Sequence, residues 1–295
     1  MKILAIGDFQ GKFPYKLEQR LRKENFDVIV GVGDYCGIDE FWPYIRYIFR
    51  ATKNNEKVIS AEKFFGKKRY NELLKKDEYS MKKVLKKLNS FGKLVLFVMG
   101  NGDDGWYNYP FAKKTTINYK LRIKKKNKRF LKSLNNFIDL NYKNKKWKNF
   151  NLIGFGGYMD IEAFFKGDFI RKRPDLLRAR QSRMKEGRIY LFNLFTKIDK
   201  RLDTLLILHY PPKRVFDIIR DKKSTLNGKS AGVRFFTEAI KKYKPFLVLC
   251  GHMHEYQGIK RLYGVPVVNP GDAGKGKAAI IELNDGKVGK IKFIK

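Results

Sequence analysis

The sequence predicts an α/β fold with its chemistry at the tips of buried strands. Three observations predict it. Short apolar runs rich in branched residues recur along the chain, as strands covered on both faces do. Lysine-rich stretches of helical period lie between them. Most runs end in a glycine followed by a polar side chain, "KILAIGD" at 2–8 being the first.

Taken in order, the expected core strands are 2–8, "DVIVGVGD" (27–34), "KLVLFVMGN" (93–101), "FNLIGFGG" (150–157), "TLLILHY" (204–210) and "FLVLCGH" (246–252). "GVPVVNPG" (264–271), "KAAIIEL" (277–283) and "GKIKFIK" (289–295) add strands near the C-terminus. "YKLEQRLRKEN" (15–25) reads as the first helix, and "TEAIKKYKP" (237–245) as a helix stopped by its proline. Three longer gaps, near 40–92, 106–149 and 158–203, hold helical patterns such as "KKVLKKLNSF" and "KRFLKSLNNFI". They read as helical insertions on one layered domain spanning 1–295.

Hydrophobic residues make up 43% of the 295-residue chain, enough for a substantial core. No apolar run approaches the roughly 18 residues that span a bilayer, which excludes membrane insertion through a helix. The N-terminus meets Asp8 too early for a signal peptide. Only two cysteines, Cys36 and Cys250, occur, far apart and outside any CxxC pair. That fits a reducing, cytoplasmic setting, with Cys36 as a small buried filler. Lys and Arg total 65 against 29 Asp and Glu, a net charge of +36. Such a surface attracts anions, a phosphorylated small molecule or nucleic acid, although a codon-biased genome also yields it. The densest basic stretches are "LRIKKKNKR" (121–129) and "YKNKKWKN" (142–149). The second interleaves Tyr142 and Trp147 with lysines, as single-strand binders do, but reads first as a solvated helix face.

Asp8, Asp34, Asn101, His209, His252 and His254 all fall at or just beyond the end of an expected strand, the edge where α/β sheets bind ligands. Two carboxylates, an amide oxygen and three imidazoles suit manganese, iron or zinc better than calcium or magnesium. The chain has only three histidines and all are in this set, which packing alone does not explain. Residues two apart in extended backbone point the same way. His252 and His254 are therefore expected to face one cluster side by side, each taking a different ion.

"GDFQG", "GDYCG", "GNGDD", "LHYPP" and "GHMHEYQG" resemble, in this order, the DxH, GDxxx, GNH[DE], lone-His and GHxH motifs of the calcineurin-like metallophosphoesterases. "NPGDAG" (269–274) is similar to the turn that follows GHxH in phosphodiesterase-like branches. The resemblance implies a four-layer α/β/β/α sandwich of two mixed sheets with helices outside. It implies two divalent metal ions, manganese foremost, with iron, zinc or nickel as alternatives. Asp34 would bridge them, with Asp8 and His254 on the first and Asn101, His209 and His252 on the second. A hydroxide shared by the ions would attack phosphorus in line. Gly7, Gly33, Gly100 and Gly251 would allow the tight turns.

Two positions depart from the family pattern. Gln10 stands at the DxH histidine and remains a candidate, poorer metal ligand. Gly102 stands at the GNH histidine, whose loss disfavours esters with poor leaving groups. Asp103, at the acidic position, is a catalytic candidate with Asp34 and Asn101, either holding a ligand in place or acting as an acid. Asp39 and Asp104 have no assigned task, and Tyr35 and Glu255 are candidates either to hold a ligand in place or to line the pocket. The expected function is metal-dependent phosphoester hydrolysis, more of a diester than a monoester. The alternatives are a catalytically weakened metal-binding scaffold of the same fold, or a nucleic-acid-binding protein or nuclease using its basic insertions.

Overall fold

The computed structural model describes residues 1–54, 56–110, 123–162, 174–222, 224–284 and 286–295. Two six-stranded mixed sheets form the centre. The first contains β1 (Lys2–Ile6), β2 (Val28–Gly31), β3 (Leu94–Phe97), β4 (Phe137–Asp139), β11 (Ala278–Asn284) and β12 (Lys287–Ile294), in the order β12-β11-β1-β2-β3-β4. The second contains β5 (Lys143–Trp147), β6 (Phe150–Phe155), β7 (Asp203–Leu208), β8 (Leu247–Leu249), β9 (Gly258–Leu262) and β10 (Val265–Asn269), in the order β5-β6-β7-β8-β10-β9.

Strand alternation divides the core into layers. Ile3, Ala5, Val28 and Val30 of the first sheet meet Leu205, Ile207, Leu247 and Leu249 of the second. The alternate residues Leu4, Ile6, Ile29, Leu206 and Leu208 turn outward, to the helices. Both faces of the central strands are thus covered, which is why they read as unbroken apolar runs. Leu17 and Leu21 of α1 (Tyr15–Arg22), and Val84, Leu85 and Leu88 of α4 (Lys67–Asn89), supply buried helix faces. So do Leu191 and Phe195 of α6 (Pro174–Thr196), and Phe235, Phe236 and Ile240 of α7 (Arg234–Tyr243). The first gap is helical throughout its regular elements, as expected, forming α2 (Trp42–Lys53), α3 (Ala61–Phe65) and α4.

The second gap departs from the helical expectation. After α5 (Lys125–Lys132) it supplies the outermost strand of each sheet, β4 parallel to β3 and β5 antiparallel to β6. The lysine-rich "YKNKKWKN" stretch is therefore an edge strand, not a solvated helix face. Asn144 of β5 donates to the Leu194 and Lys197 carbonyls, while Trp147 packs between the sheets. Exposed lysines on an edge strand deter pairing with another chain. β9 was also not anticipated, because its central residues, Ile259, Lys260 and Arg261, are exposed and carry little apolar signal. Leu121 and Arg122 lie outside the described residues, as does 163–173 of the third gap. Among the described residues no helix is long and apolar enough to cross a membrane.

α6 is pinned to the loop after β6 by a buried ion pair. Arg183 and Asp160 are 6% and 1% exposed, and Arg183 Nη2 donates to Asp160 Oδ1 at 2.8 Å. Removing one partner of such a pair strands the other charge in a low-dielectric interior. Asp160→Asn should lower unfolding free energy by about 3–5 kcal/mol in urea denaturation. A loss below about 1 kcal/mol would show the guanidinium to be adequately solvated without its partner.

Candidate metal centre

β1, β2 and β3 run parallel, as do β6, β7 and β8, so the candidate side chains emerge at strand C-terminal ends. The first sheet delivers Asp8, Gln10, Asp34 and Asn101. The second delivers His209, His252 and His254. Backbone bonds tie these tips together. Asp8 N donates to Gly33 O at 2.8 Å, Phe9 N to Asp34 O at 2.8 Å, and Gly251 N to His209 O at 2.8 Å. The "NPGDAG" turn closes over the first tip, Ala273 N donating to Gly7 O at 3.0 Å and Gly274 N to Asp8 O at 3.2 Å.

Several of these residues sit in the left-handed backbone region. Asp8 has φ 55°, Gln10 48°, Asp34 54° and His252 69°. Non-glycine residues adopt that region at some conformational penalty, and such residues gather at functional sites. Of the four glycines expected to make the turns, only Gly33 is itself left-handed, at φ 103°. Gly100 is required for close approach, since a Cβ there would lie 2.0 Å from Asp34 Oδ1.

Five expected ligands assemble into two triads sharing one member. Asp34, His209 and His252 form one, and Asp8, Asp34 and His254 the other, the ligand atoms of each lying within 4.8 Å of one another. The sixth, Asn101, places Oδ1 2.9 Å from His209 Nε2. The two neighbouring histidines do serve different triads, but not through extended backbone. The left-handed turn at His252 replaces the strand geometry expected there, and its N–H donates to Asp8 Oδ1 at 2.9 Å.

The electrostatics favour a cation. Asp8 and Asp34 are 0% and 3% exposed, and their carboxyls are pushed above the ordinary range, first by burial. At Asp8 the neighbouring charges of Asp34, Asp272 and Asp103 add to the rise. His209 is pushed down to about 4 by burial, and His252 is driven well below its usual value by burial and then by His209 and His254. Both imidazoles are thus neutral near pH 7, the form that ligates metal. The Nδ1–H of His209 donates to Val32 O at 2.8 Å, so the lone pair of Nε2 faces inward. It meets acceptor oxygens, Asn101 Oδ1 at 2.9 Å and Asp34 Oδ1 at 3.5 Å. Converging acceptors with no proton between them, beside buried repelling carboxylates, fit a divalent cation.

The other expected residues fall variously. Gln10 Nε2 donates to Asp34 Oδ2 at 3.1 Å, which directs its amide to the carboxylate. Asp103 is fully buried, and its carboxylate accepts from the N–H groups of Asp34 (3.0 Å), Tyr35 (2.8 Å), Cys36 (3.1 Å) and Gly100 (2.7 Å). Burial, then the Asp34 charge, raises it to about 6. It joins the loops carrying Asp34 and Asn101 and has no open face for an ester. Tyr35 is not a pocket residue: it is 0% exposed and stacks on Phe9 at 5.8 Å. Asp39 is exposed and pairs with Lys12 at 2.7 Å, Asp104 is exposed, and Glu255 accepts from Arg220 N at 2.9 Å. Cys36 and Cys250 are both buried, and Cys36 Sγ donates to Gly102 O at 2.8 Å.

Two residues at the centre were not anticipated. Asp272 is buried near Asp8 and accepts from Lys275 N at 3.2 Å, and its signal was its place inside "NPGDAG". Tyr210 lies against His252 with ring centroids 3.9 Å apart. Its only sequence signal was adjacency to His209.

The model of the calcineurin-like phosphoesterases matches residues 1–256. The chain belongs to that family. Two mixed sheets with helices on both sides are its fold. The family is binuclear-metal dependent, in keeping with two Asp/His groups that share Asp34. One solved structure aligns over 99% of this chain and 97% of its own, with a TM-score of 0.64 and 21% identity. A dimetal phosphatase from Danio rerio is similar over 100% of this chain and 98% of its own, at 12% identity and a TM-score of 0.52. TT1561 of Thermus thermophilus is similar over 99% and 97%, at 14% identity and a TM-score of 0.51. These likenesses are of fold. No curated protein matches the chain.

Metal affinity should fall as pH drops from 7 to 5. The carboxyls at the centre hold protons more tightly than ordinary ones and must release them to ligate, whereas His209 and His252 are already neutral. Calorimetric titration with Mn²⁺ at pH 7, 6 and 5 reads this directly. An affinity that stays level or rises toward pH 5 would contradict the assignment.

Proposed function

We propose that this protein is a binuclear-metal phosphoester hydrolase that prefers diesters. The observation that carries the reading is Asp34, common to both triads and placed between them. Asp8, Asp34 and His254 would hold the first ion, and Asp34, Asn101, His209 and His252 the second. Divalent cations bound there supply Lewis acidity at the phosphoryl oxygens and activate water for attack on phosphorus. The dimetal phosphatase named for its likeness of fold supports the same reading.

The chain's own residues set the rest. Asp103, through four amides, holds the Asp34 and Asn101 loops at fixed separation, so it is a positioning residue. Gln10 orients Asp34 rather than completing the first ion's shell, which leaves that ion the leaner ligand set. The two ions should therefore bind with unequal affinity. The donor set points to manganese foremost, with iron, zinc or nickel as alternatives. Gly102 is exposed beside Asp34 and offers no side-chain proton to a leaving group. That favours esters whose leaving group departs unaided, and it leaves room for the second arm of a diester. The net charge of +36 draws anionic substrates, a phosphorylated small molecule or a nucleic acid. Two buried, unpaired thiols are in keeping with a cytoplasmic site of action.

Mn²⁺-loaded protein should hydrolyse an aryl phosphodiester faster than the matching monoester. Asp34→Asn and His252→Ala should each reduce turnover to the level of metal-stripped protein. Elemental analysis should return two ions per chain for the wild type. Pure, fully loaded wild type no faster than either variant would end the hydrolase reading, and one ion or none would favour a binding scaffold.

A further inference from the structure

His209 and His252 belong to the same triad but are held by different means. His209 has the usual support of a ligating imidazole, its Nδ1–H donating to the Val32 carbonyl at 2.8 Å. Among the described residues no hydrogen bond reaches either ring nitrogen of His252. Its N–H is committed to Asp8, at 2.9 and 3.0 Å from the two carboxylate oxygens, and its backbone is left-handed at φ 69°. These fix the chain but leave the ring free to turn about its side-chain torsions.

What fixes the ring is an aromatic face. Tyr210 lies over His252 with centroids 3.9 Å apart and planes at 34°, whereas His209 meets it nearly edge-on, at 5.2 Å and 75°. Tyr210 is itself held in place, being 3% exposed and packed in the core. It meets His209 at 5.3 Å and 86°, so one tyrosine contacts both imidazoles of the triad. Aromatic pairs of this kind prefer defined offsets and tilts, and so restrict ring rotation.

We infer that Tyr210 is a positioning residue whose ring, rather than its hydroxyl, aims His252 at the ion shared with Asp34 and His209. The stack thus takes the orienting role that a hydrogen bond to the second ring nitrogen has at His209. This rests on the binuclear reading of the centre, but not on ester hydrolysis. Loss of such support to a ligand weakens metal binding by about 10- to 100-fold.

Two variants separate ring from hydroxyl: Tyr210→Phe keeps the stack, and Tyr210→Leu keeps apolar bulk without it. Metal-stripped full-length protein is titrated with Mn²⁺ by calorimetry, and its Co²⁺ complex is followed by visible absorption. Melting of the metal-free variants checks that each is folded. Wild type and Tyr210→Phe should bind two ions with matching affinities and spectra. Tyr210→Leu should keep the ion of Asp8 and His254, bind the other about 10- to 100-fold more weakly, and show an altered Co²⁺ spectrum. Unchanged affinities in Tyr210→Leu would overturn the inference. So would a Tyr210→Phe as weak as Tyr210→Leu, or a folded Tyr210→Leu that loses both ions. Wild type that binds two ions yet cleaves no ester would refute the hydrolase reading and leave Tyr210's role intact.

Discussion

Buried negative charge at the joint between the two sheets is the constraint on which the rest of the structure depends. Asp8, Asp34, Asp103 and Asp272 are each at most 3% exposed, the charges of the other three oppose ionisation of Asp8, and that of Asp34 opposes ionisation of Asp103. A hydrophobic sandwich tolerates such a cluster only if fixed dipoles and a cation replace the lost water. The dipoles are visible. Four amides converge on Asp103, the His252 amide meets Asp8, and the Gly102 amide meets Asp34 at 2.8 Å. The left-handed backbone at Asp8, Asp34 and His252 belongs to the same arrangement, because it turns chain emerging from a strand back toward the joint. The central strands are short and largely apolar because their task is to bring these tips together and keep water from beneath them.

That arrangement also sets what the sequence could reveal. Parallel strands buried on both faces write unbroken apolar runs, so β1, β2, β3, β6, β7 and β8 were legible, together with the polar residue that ends each. β5 was not, because an edge strand carries lysines that mask its two-residue period, and β4 spans only Phe137–Asp139. Asp103 was legible as an acid beside Asn101 but not as the acceptor of four amides, three of them more than sixty positions away in the chain. Tyr210 was hidden for a related reason. Alternation along β7 turns it away from the face that His209 takes, and only the left-handed turn at His252 brings the two rings together.

The positive charge has at least two physical uses once placed on the fold. Between Lys124 and Lys148 the chain carries ten exposed cations against Asp139 as its single acid. Those on β5 line the exposed edge of the second sheet, where charge prevents a neighbouring chain from adding a strand. Those on α5 occupy its solvent side and leave Asn127 as that helix's buried residue, donating to the Gly105 carbonyl at 3.0 Å. Edge protection and a general attraction for anions both follow from the same lysines, and neither requires a dedicated nucleic-acid groove.

The two positions that depart from the family pattern converge on one carboxylate. Gln10 donates to Asp34 Oδ2 at 3.1 Å and the Gly102 amide donates to Oδ1 at 2.8 Å. A side chain at position 102 would begin 3.1 Å from that same oxygen, so the glycine allows the backbone to approach where an imidazole would otherwise stand. In place of two histidines the chain thus sets two N–H donors on the residue shared by both triads. Donors of this kind lower a carboxylate's basicity and hold its orientation, exchanging ligand strength and proton delivery for fixed geometry. On the proposed reading, a centre built that way would give little help to an ester's leaving group. The chemistry of the substrate then decides the rate, and esters with stable leaving groups are the ones such a centre would turn over.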